Sequence, residues 1–308
     1  MSSVLAASIS GDRWVESTFA GLAVGSKYAL VALGFVIVFK ATGIINFAQS
    51  GFVLIGGYLA FNAVATWGWD FYLALPTAMI GGALLGMAIE WLVLRRMIGE
   101  APFTLIMVTI GVLFVLNQVV TAVWGPAGRG VGDPWGTRTV NRGEIGLRVA
   151  DLWALGLTAV VLGAFFVFFR YSTLGLAMRA TAADQEAAMA QGIAARRVYR
   201  AAWAIAGSVG ALAGVVLASG VGQLEPRLGL VALVAFPAMI LGGLESPLGA
   251  VVGGLVMGLV EQLTALLAPV HAAWLGESFE RVSPYLVMIV ILLIRPYGLF
   301  GTREVRRV

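Results

Sequence analysis

The residues able to do chemistry are few. The chain has one histidine, His271, no cysteine, and two lysines, Lys27 and Lys40. Without cysteine there are no disulfides, thiolate metal sites or Cys nucleophiles. One imidazole cannot build a multi-His metal centre or supply a triad with a spare. The lysines follow Ser26 and Phe39, so no Gly-Lys-Ser/Thr phosphate loop exists. What remains is mostly neutral and lies inside long apolar stretches: Asn46, Gln49 and Ser50, then Thr109, Asn117 and Gln118, with the acids Glu90 and Glu261 (beside Gln262). In lipid an unsatisfied polar group costs several kcal/mol, so such residues line a pathway or satisfy a broken helix. For Glu90 and Glu261 a packing or snorkelling role near a span end competes with that reading. His271, beside Pro269, is expected in a solvated loop.

The elements that must position these groups are membrane helices. Of 308 residues, 60% are hydrophobic before the 40 Gly are counted, and 12% are charged, against roughly 25% in soluble domains. The mean hydropathy is +0.93. Too few polar residues exist to cover one soluble core. Nine apolar segments read as helices, at about 17–39, 43–66, 71–94, 102–124, 152–170, 201–221, 228–245, 247–268 and 283–301. The expected architecture is one all-α, polytopic membrane bundle over 1–308 with eight to ten spans. The short, Gly-interrupted segment 228–245 is a candidate for a broken or re-entrant helix. The first segment is expected to stay on the protein as a span, not to be a cleaved leader.

The net charge of +4 reports topology, not nucleic-acid binding. With 170–200 in the cytoplasm, twelve basic residues fall inside, including Lys40, Arg95, Arg96, Arg170, Arg179, Arg200, Arg295, Arg303, Arg306 and Arg307, against eight outside. The N-terminus is therefore expected outside and the C-terminus inside. Glycines four apart (Gly21/Gly25, Gly82/Gly86, Gly210/Gly214, Gly249/Gly253, Gly254/Gly258) share helix faces and let backbones approach. An internal echo links Phe52–Tyr58 to Ala238–Leu244, and Gly81-Gly82, Gly86 and Glu90 to Gly253-Gly254, Gly258 and Glu261. Inverted repeats would produce such pairs running oppositely, and chance similarity in Gly/Leu-rich sequence would also.

Two polar stretches interrupt the apolar pattern. The loop 125–151, expected outside, is either a solvated connector or a partner-binding cap. The stretch 171–200 contains a short Ala-rich helix, for which Thr181 is the expected N-cap. Asp184 and Glu186 would oppose the dipole in its first turn, and Gly192 would stop it. Alone in water such a helix is marginal, so it suits docking into a groove.

Glu186-Ala187-Ala188 followed by Gly192 matches the EAA-x3-G motif of ABC importer permeases. The chain as a whole resembles the LivH/LivM-type permeases for branched-chain amino acids, with spacing nearer the LivH type. The resemblance rests on GSKYAL at 25–30, GIINFAQSG at 43–51, Gly56-Gly57-Tyr58, TLGLAMRA at 173–180, LGGLESPLG at 241–249 and RPYGLFG at 295–301. It covers about residues 20–301. Gln49-Ser50-Gly51 departs from the family in carrying no carboxylate after the Gln.

The resemblance implies a permease subunit in the bacterial inner membrane with no catalytic residue, metal or cofactor of its own. Two ATP-binding subunits would use ATP and Mg, and Thr181, Asp184, Glu186, Ala187, Ala188 and Gly192 would form the coupling helix seated on them. A related permease or a second copy would complete the channel, and a periplasmic protein would deliver a small solute, a neutral amino acid or an amide. Asn46, Gln49, Ser50, Thr109, Asn117, Gln118 and Glu261 are the candidate path residues, and Gly82, Gly86, Gly254 and Gly258 the packing ones. The alternative is an ion-coupled carrier using Glu90 or Glu261.

Overall fold

A computed structural model describes residues 10–97, 100–220, 223–276 and 278–301; Arg303, Arg306 and Arg307 lie outside the described residues. The described chain is helical apart from one hairpin, Thr139–Arg142 paired antiparallel with Ile145–Arg148. Among the described residues, six helices are long and apolar enough to cross a bilayer. They are α1 (Gly11–Thr42), α3 (Phe71–Leu92, prolonged by a 3₁₀ turn), α4 (Pro102–Trp124), α5 (Val149–Tyr171), α8 (Ala195–Ala218) and α10 (Pro247–His271). The protein is a multi-pass membrane bundle.

Three of the nine predicted segments are helical but short: α2 (Gln49–Phe61), α9 (Val231–Gly242) and α11 (Ser283–Ile294). At 1.5 Å per residue, twelve residues reach about 18 Å, well under the ~30 Å hydrocarbon core. Hydropathy measures apolar length and misses the breaks. α2 starts only at Gln49, after the non-helical stretch that follows Gly43 (φ 71°), and it ends in a π turn, Asn62–Thr66. α9 follows a 3₁₀ turn opened by Pro226, and α11 stops just before Arg295-Pro296. Pro269 and His271 belong to α10, not to a loop; His271 is its exposed last residue.

Two helices form the centre. In their most apolar windows α1 is 78% and α8 72% buried, whereas α3, α4, α5 and α10 are 22–28% buried. Both central helices are lined by small residues, and the flanking helices present Leu, Val and Phe outward, as in Phe114, Val160 and Leu84. Lipid is as apolar as those side chains, so close packing must hold the centre together.

The packing is glycine against backbone, and it recurs at two helix crossings. α1 runs antiparallel to α10, with Gly21 on Leu259, Gly25 on Leu255 and Ala29 on Gly254. α8 runs antiparallel to α3 in the same manner, with Trp203 on Gly86, Gly207 on Gly82 and Ala211 on Gly82. A Cβ on Gly86 or Gly258 would run into main-chain atoms of the facing helix. Both members of the glycine echo thus lie at close helix crossings, Gly82 and Gly86 against α8 and Gly254 and Gly258 against α1. The other echo behaves differently. Gly56 packs on Ala211 of α8, while Gly242 packs on Gly249 of α10, so similar sequence serves different neighbours.

Candidate functional site

The Glu-Ala-Ala region folds as two helices. Ser172 accepts from Gly175 N and starts α6 (Thr173–Ala183), and Asp184 starts α7 (Gln185–Ala190) by accepting from Ala187 N at 2.9 Å. The N-cap is therefore Asp184, not Thr181, which is buried within α6. The physical reason is local: Asp caps better than Thr, and extended backbone at Asp184 (φ −157°) breaks the helix there. Gly192 ends the motif as expected, with φ 85° and its N–H on Met189 O, while Ile193 N–H reaches Ala188 O. Ala188 faces inward, and Glu186, Ala187 and Met189 are exposed. Asp184→Ala is expected to loosen the first turn of α7 by about 1 kcal/mol. Faster amide hydrogen exchange at Ala187 and Ala188 would show it, and Asp184→Asn should retain the native protection.

Basic residues pin the helix ends around this segment. Arg179 donates to the Phe169 and Arg170 carbonyls at the end of α5, groups that a helix C-terminus leaves unpaired. Lys40, in the last turn of α1, donates to Glu245 O at 3.0 Å and lies over the Phe169 ring. Arg200 Nε stands 3.6 Å from Glu90 Oε2, joining α8 to α3. The Leu299 and Phe300 amides bond to Leu241 and Gly242. The ends of α1, α3, α5 and α9 and the starts of α8 and α10 therefore meet in one layer with α6 and α7.

At the opposite end the 125–148 stretch is built, not loose. Arg129 forms a bridge with Leu224, Asp133 accepts from Gly220 N and Gly136 N, and Gly146 N donates to Glu16. Trp135 is buried against Trp153, with ring centroids 4.5 Å apart. Asp151, at the start of α5, holds both Arg148 (2.7 Å) and Lys27 of α1 (3.4 Å). Burying a charge requires such pairing. The partners are 124 residues apart for Lys27, so no spacing rule could have found them.

Of the candidate path residues, five gather where α2 begins. Asn46 precedes α2, and its Oδ1 accepts from Ala48 N in the turn ahead of the helix, so it shares no helical face with Ser50. Thr109 of α4 accepts from Phe47 N. Gln49 reaches inward between Gly34 and Gly210 and donates to Ala206 O at 3.2 Å. Ser50 and Asn117 line one cavity of about 270 Å³ with Pro226 and Leu233, and Asn117 donates to Pro226 O. Asn46 Nδ2, Gln49 Oε1 and Ser50 Oγ are buried without a partner. Gln118 faces out of the bundle. Glu261 lies on another seam, accepting from Tyr28 OH at 2.7 Å between α10 and α1. Among the described residues no group of three or more His, Asp or Glu could hold a metal ion.

The family model for the branched-chain amino acid transport system permease component matches residues 17–294. The chain belongs to this family. The permease is 31% identical to the high-affinity branched-chain amino acid transport system permease protein LivH of Salmonella typhimurium, over 96% of this chain and 98% of that one. Its identity to the corresponding BraD protein of Pseudomonas aeruginosa is 28% over the same shares. A ribose import permease, RbsC of Haemophilus influenzae, is 21% identical over 91% of the permease and 84% of its own length. The permease is thus a transport subunit of ABC type.

Proposed function

We propose that the permease moves a branched-chain or other neutral amino acid into the cell by alternating access, driven by two ATP-binding subunits that seat on α7. The observation that carries this is α7 itself. Six residues cannot hold a helix alone. Here it is capped by Asp184, closed by Gly192 and anchored through Ala188, and its Glu186–Met189 side is left exposed. The partners bind ATP and Mg; this chain binds neither. The α7 layer faces the cytoplasm, with the N-terminus outside and the C-terminus inside the bacterial inner membrane. A periplasmic binding protein docks on the strapped 125–148 segment, and a LivM-like permease or a second copy completes the pathway. The unpaired polar atoms of Asn46, Gln49 and Ser50, with Thr109 and Asn117 beside them, suit a zwitterion whose charges cancel. That its relatives LivH and BraD belong to branched-chain amino acid transport systems supports the amino-acid reading.

Proteoliposomes carrying the permease, its ATPases and its binding protein test it. Labelled leucine should accumulate only with internal ATP, and collapsing proton and sodium gradients should leave the rate unchanged. Uptake that follows the gradient and survives removal of the ATPases would establish instead an ion-coupled carrier using Glu90 or Glu261.

A further inference from the structure

Glu90 lies near the end of α3 with 2% of its surface exposed, and its Oε2 takes no hydrogen bond. The neighbouring Arg200 keeps about half of its side chain in solvent, so it offsets the charge without satisfying the oxygen. A buried carboxylate in that state is costly to keep. It lines a cavity of about 500 Å³, which falls in the usual range for small-molecule sites, roughly 300–1,000 Å³. Leu94, Met97, Leu105 and Trp203 make its walls apolar. The non-helical backbone at Gly43 and Ile44, just past the end of α1, forms another side. Gln185, the first residue of α7, stands at the rim.

We propose that this cavity binds a small molecule with an ammonium end and an aliphatic body, entering from the α7 end of the bundle. The ammonium group donates to Glu90 Oε2, a charge-assisted bond in a site of low dielectric. The aliphatic part replaces water against Leu94, Met97, Leu105 and Trp203. A bound ligand bridges α3, the start of α4 and α8 beneath Gln185, and so braces α7. The ammonium end belongs equally to a simple amine or to an amino acid, whose carboxylate Arg95, also in the lining, would receive. The site lies within one chain and does not depend on what the permease carries.

Calorimetric titration of the nanodisc-held complex, without binding protein, tests this with 3-methylbutylamine, L-leucine and 3-methylbutanoate. The amine should bind saturably and the acid should not. Leucine that competes with the amine identifies an amino acid as the ligand, and leucine that does not compete identifies an amine; either keeps the site. Glu90→Gln should weaken the amine at least about tenfold, through loss of a hydrogen bond to a charged group. Leu105→Trp, which narrows the cavity while leaving Glu90 and Arg200 unsubstituted, should do the same and decides the matter if Glu90→Gln is unstable. Absence of saturable amine binding to the native complex, or an unchanged affinity in both variants, overturns the proposal.

Discussion

Gly258→Leu is expected to destabilise the folded permease by about 3 kcal/mol or more, the upper range of overpacking costs. A Cβ at Gly258 meets Gly25 N, Gly21 O and Gly25 Cα, all main-chain atoms that no rotamer change can move aside. The neighbouring contacts are equally close, since a Cβ on Gly25 would lie 2.7 Å from Leu255 Cα and 2.8 Å from Gly254 O. α1 and α10 must therefore separate along their length, and α1 is the most buried of the six long helices in its most apolar stretch. Gly86→Leu should behave alike, because its Cβ would strike the Trp203 carbonyl at the equivalent α3–α8 crossing. Gly111→Ala is the control: on α4, with nothing within 4 Å, it should change stability only by helix propensity, a gain of up to about 1 kcal/mol. Thermal unfolding midpoints of the purified protein in one detergent measure all three. Equal shifts for Gly258→Leu and Gly111→Ala would show that the glycine seams do not hold the bundle.

Much of this framework was legible because it follows from local periodicity. Glycines four apart mark helix faces whatever the fold, and the echoed glycines of α3 and α10 both sit at close helix crossings. Helix existence was read correctly, and 228–245 was read as a candidate broken helix, yet the breaks that shorten α2 and α11 were not. Gly43 and Pro296 mark these breaks locally, but the stretch ahead of α2 is also held by a tertiary contact, Thr109 accepting from the Phe47 amide. The pairs that organise the two ends were invisible for the same reason. Glu90 with Arg200 and Lys27 with Asp151 meet only through folding, and no sequence spacing announces them. Thr181 is a different failure. Asp184 was already in view, a stronger cap directly before Gln185-Glu186, and the choice of Thr181 overlooked that a helix could break and restart within four residues.

Gly192→Ala is expected to lower solute uptake about 5–30-fold while ATP hydrolysis continues, and the size follows from the backbone. Gly192 sits at φ 85°, where an L residue pays roughly 1–2 kcal/mol, and a Cβ there touches nothing within 4 Å. The penalty is therefore conformational and falls on the stop of α7, whose closing bonds run from Gly192 N to Met189 O and from Ile193 N to Ala188 O. A strain of 1–2 kcal/mol changes the population of the closed helix by about 5–30-fold. If α7 is the element through which ATPase closure reaches α6 and α8, that population sets how many hydrolysis cycles move solute. Gly192→Asn should retain more coupling, because Asn tolerates the left-handed region. Glu186→Gln tests the other end: the side chain is exposed in the first turn of α7, so its loss leaves the fold intact while altering the surface offered to the ATPase. The readout is solute moved per ATP hydrolysed in proteoliposomes, with gel filtration confirming that each variant remains assembled. An unchanged ratio in both Gly192→Ala and Glu186→Gln would remove α7 from the coupling path, whereas a fall in Gly192→Ala that Gly192→Asn largely restores would tie coupling to the backbone of that one residue.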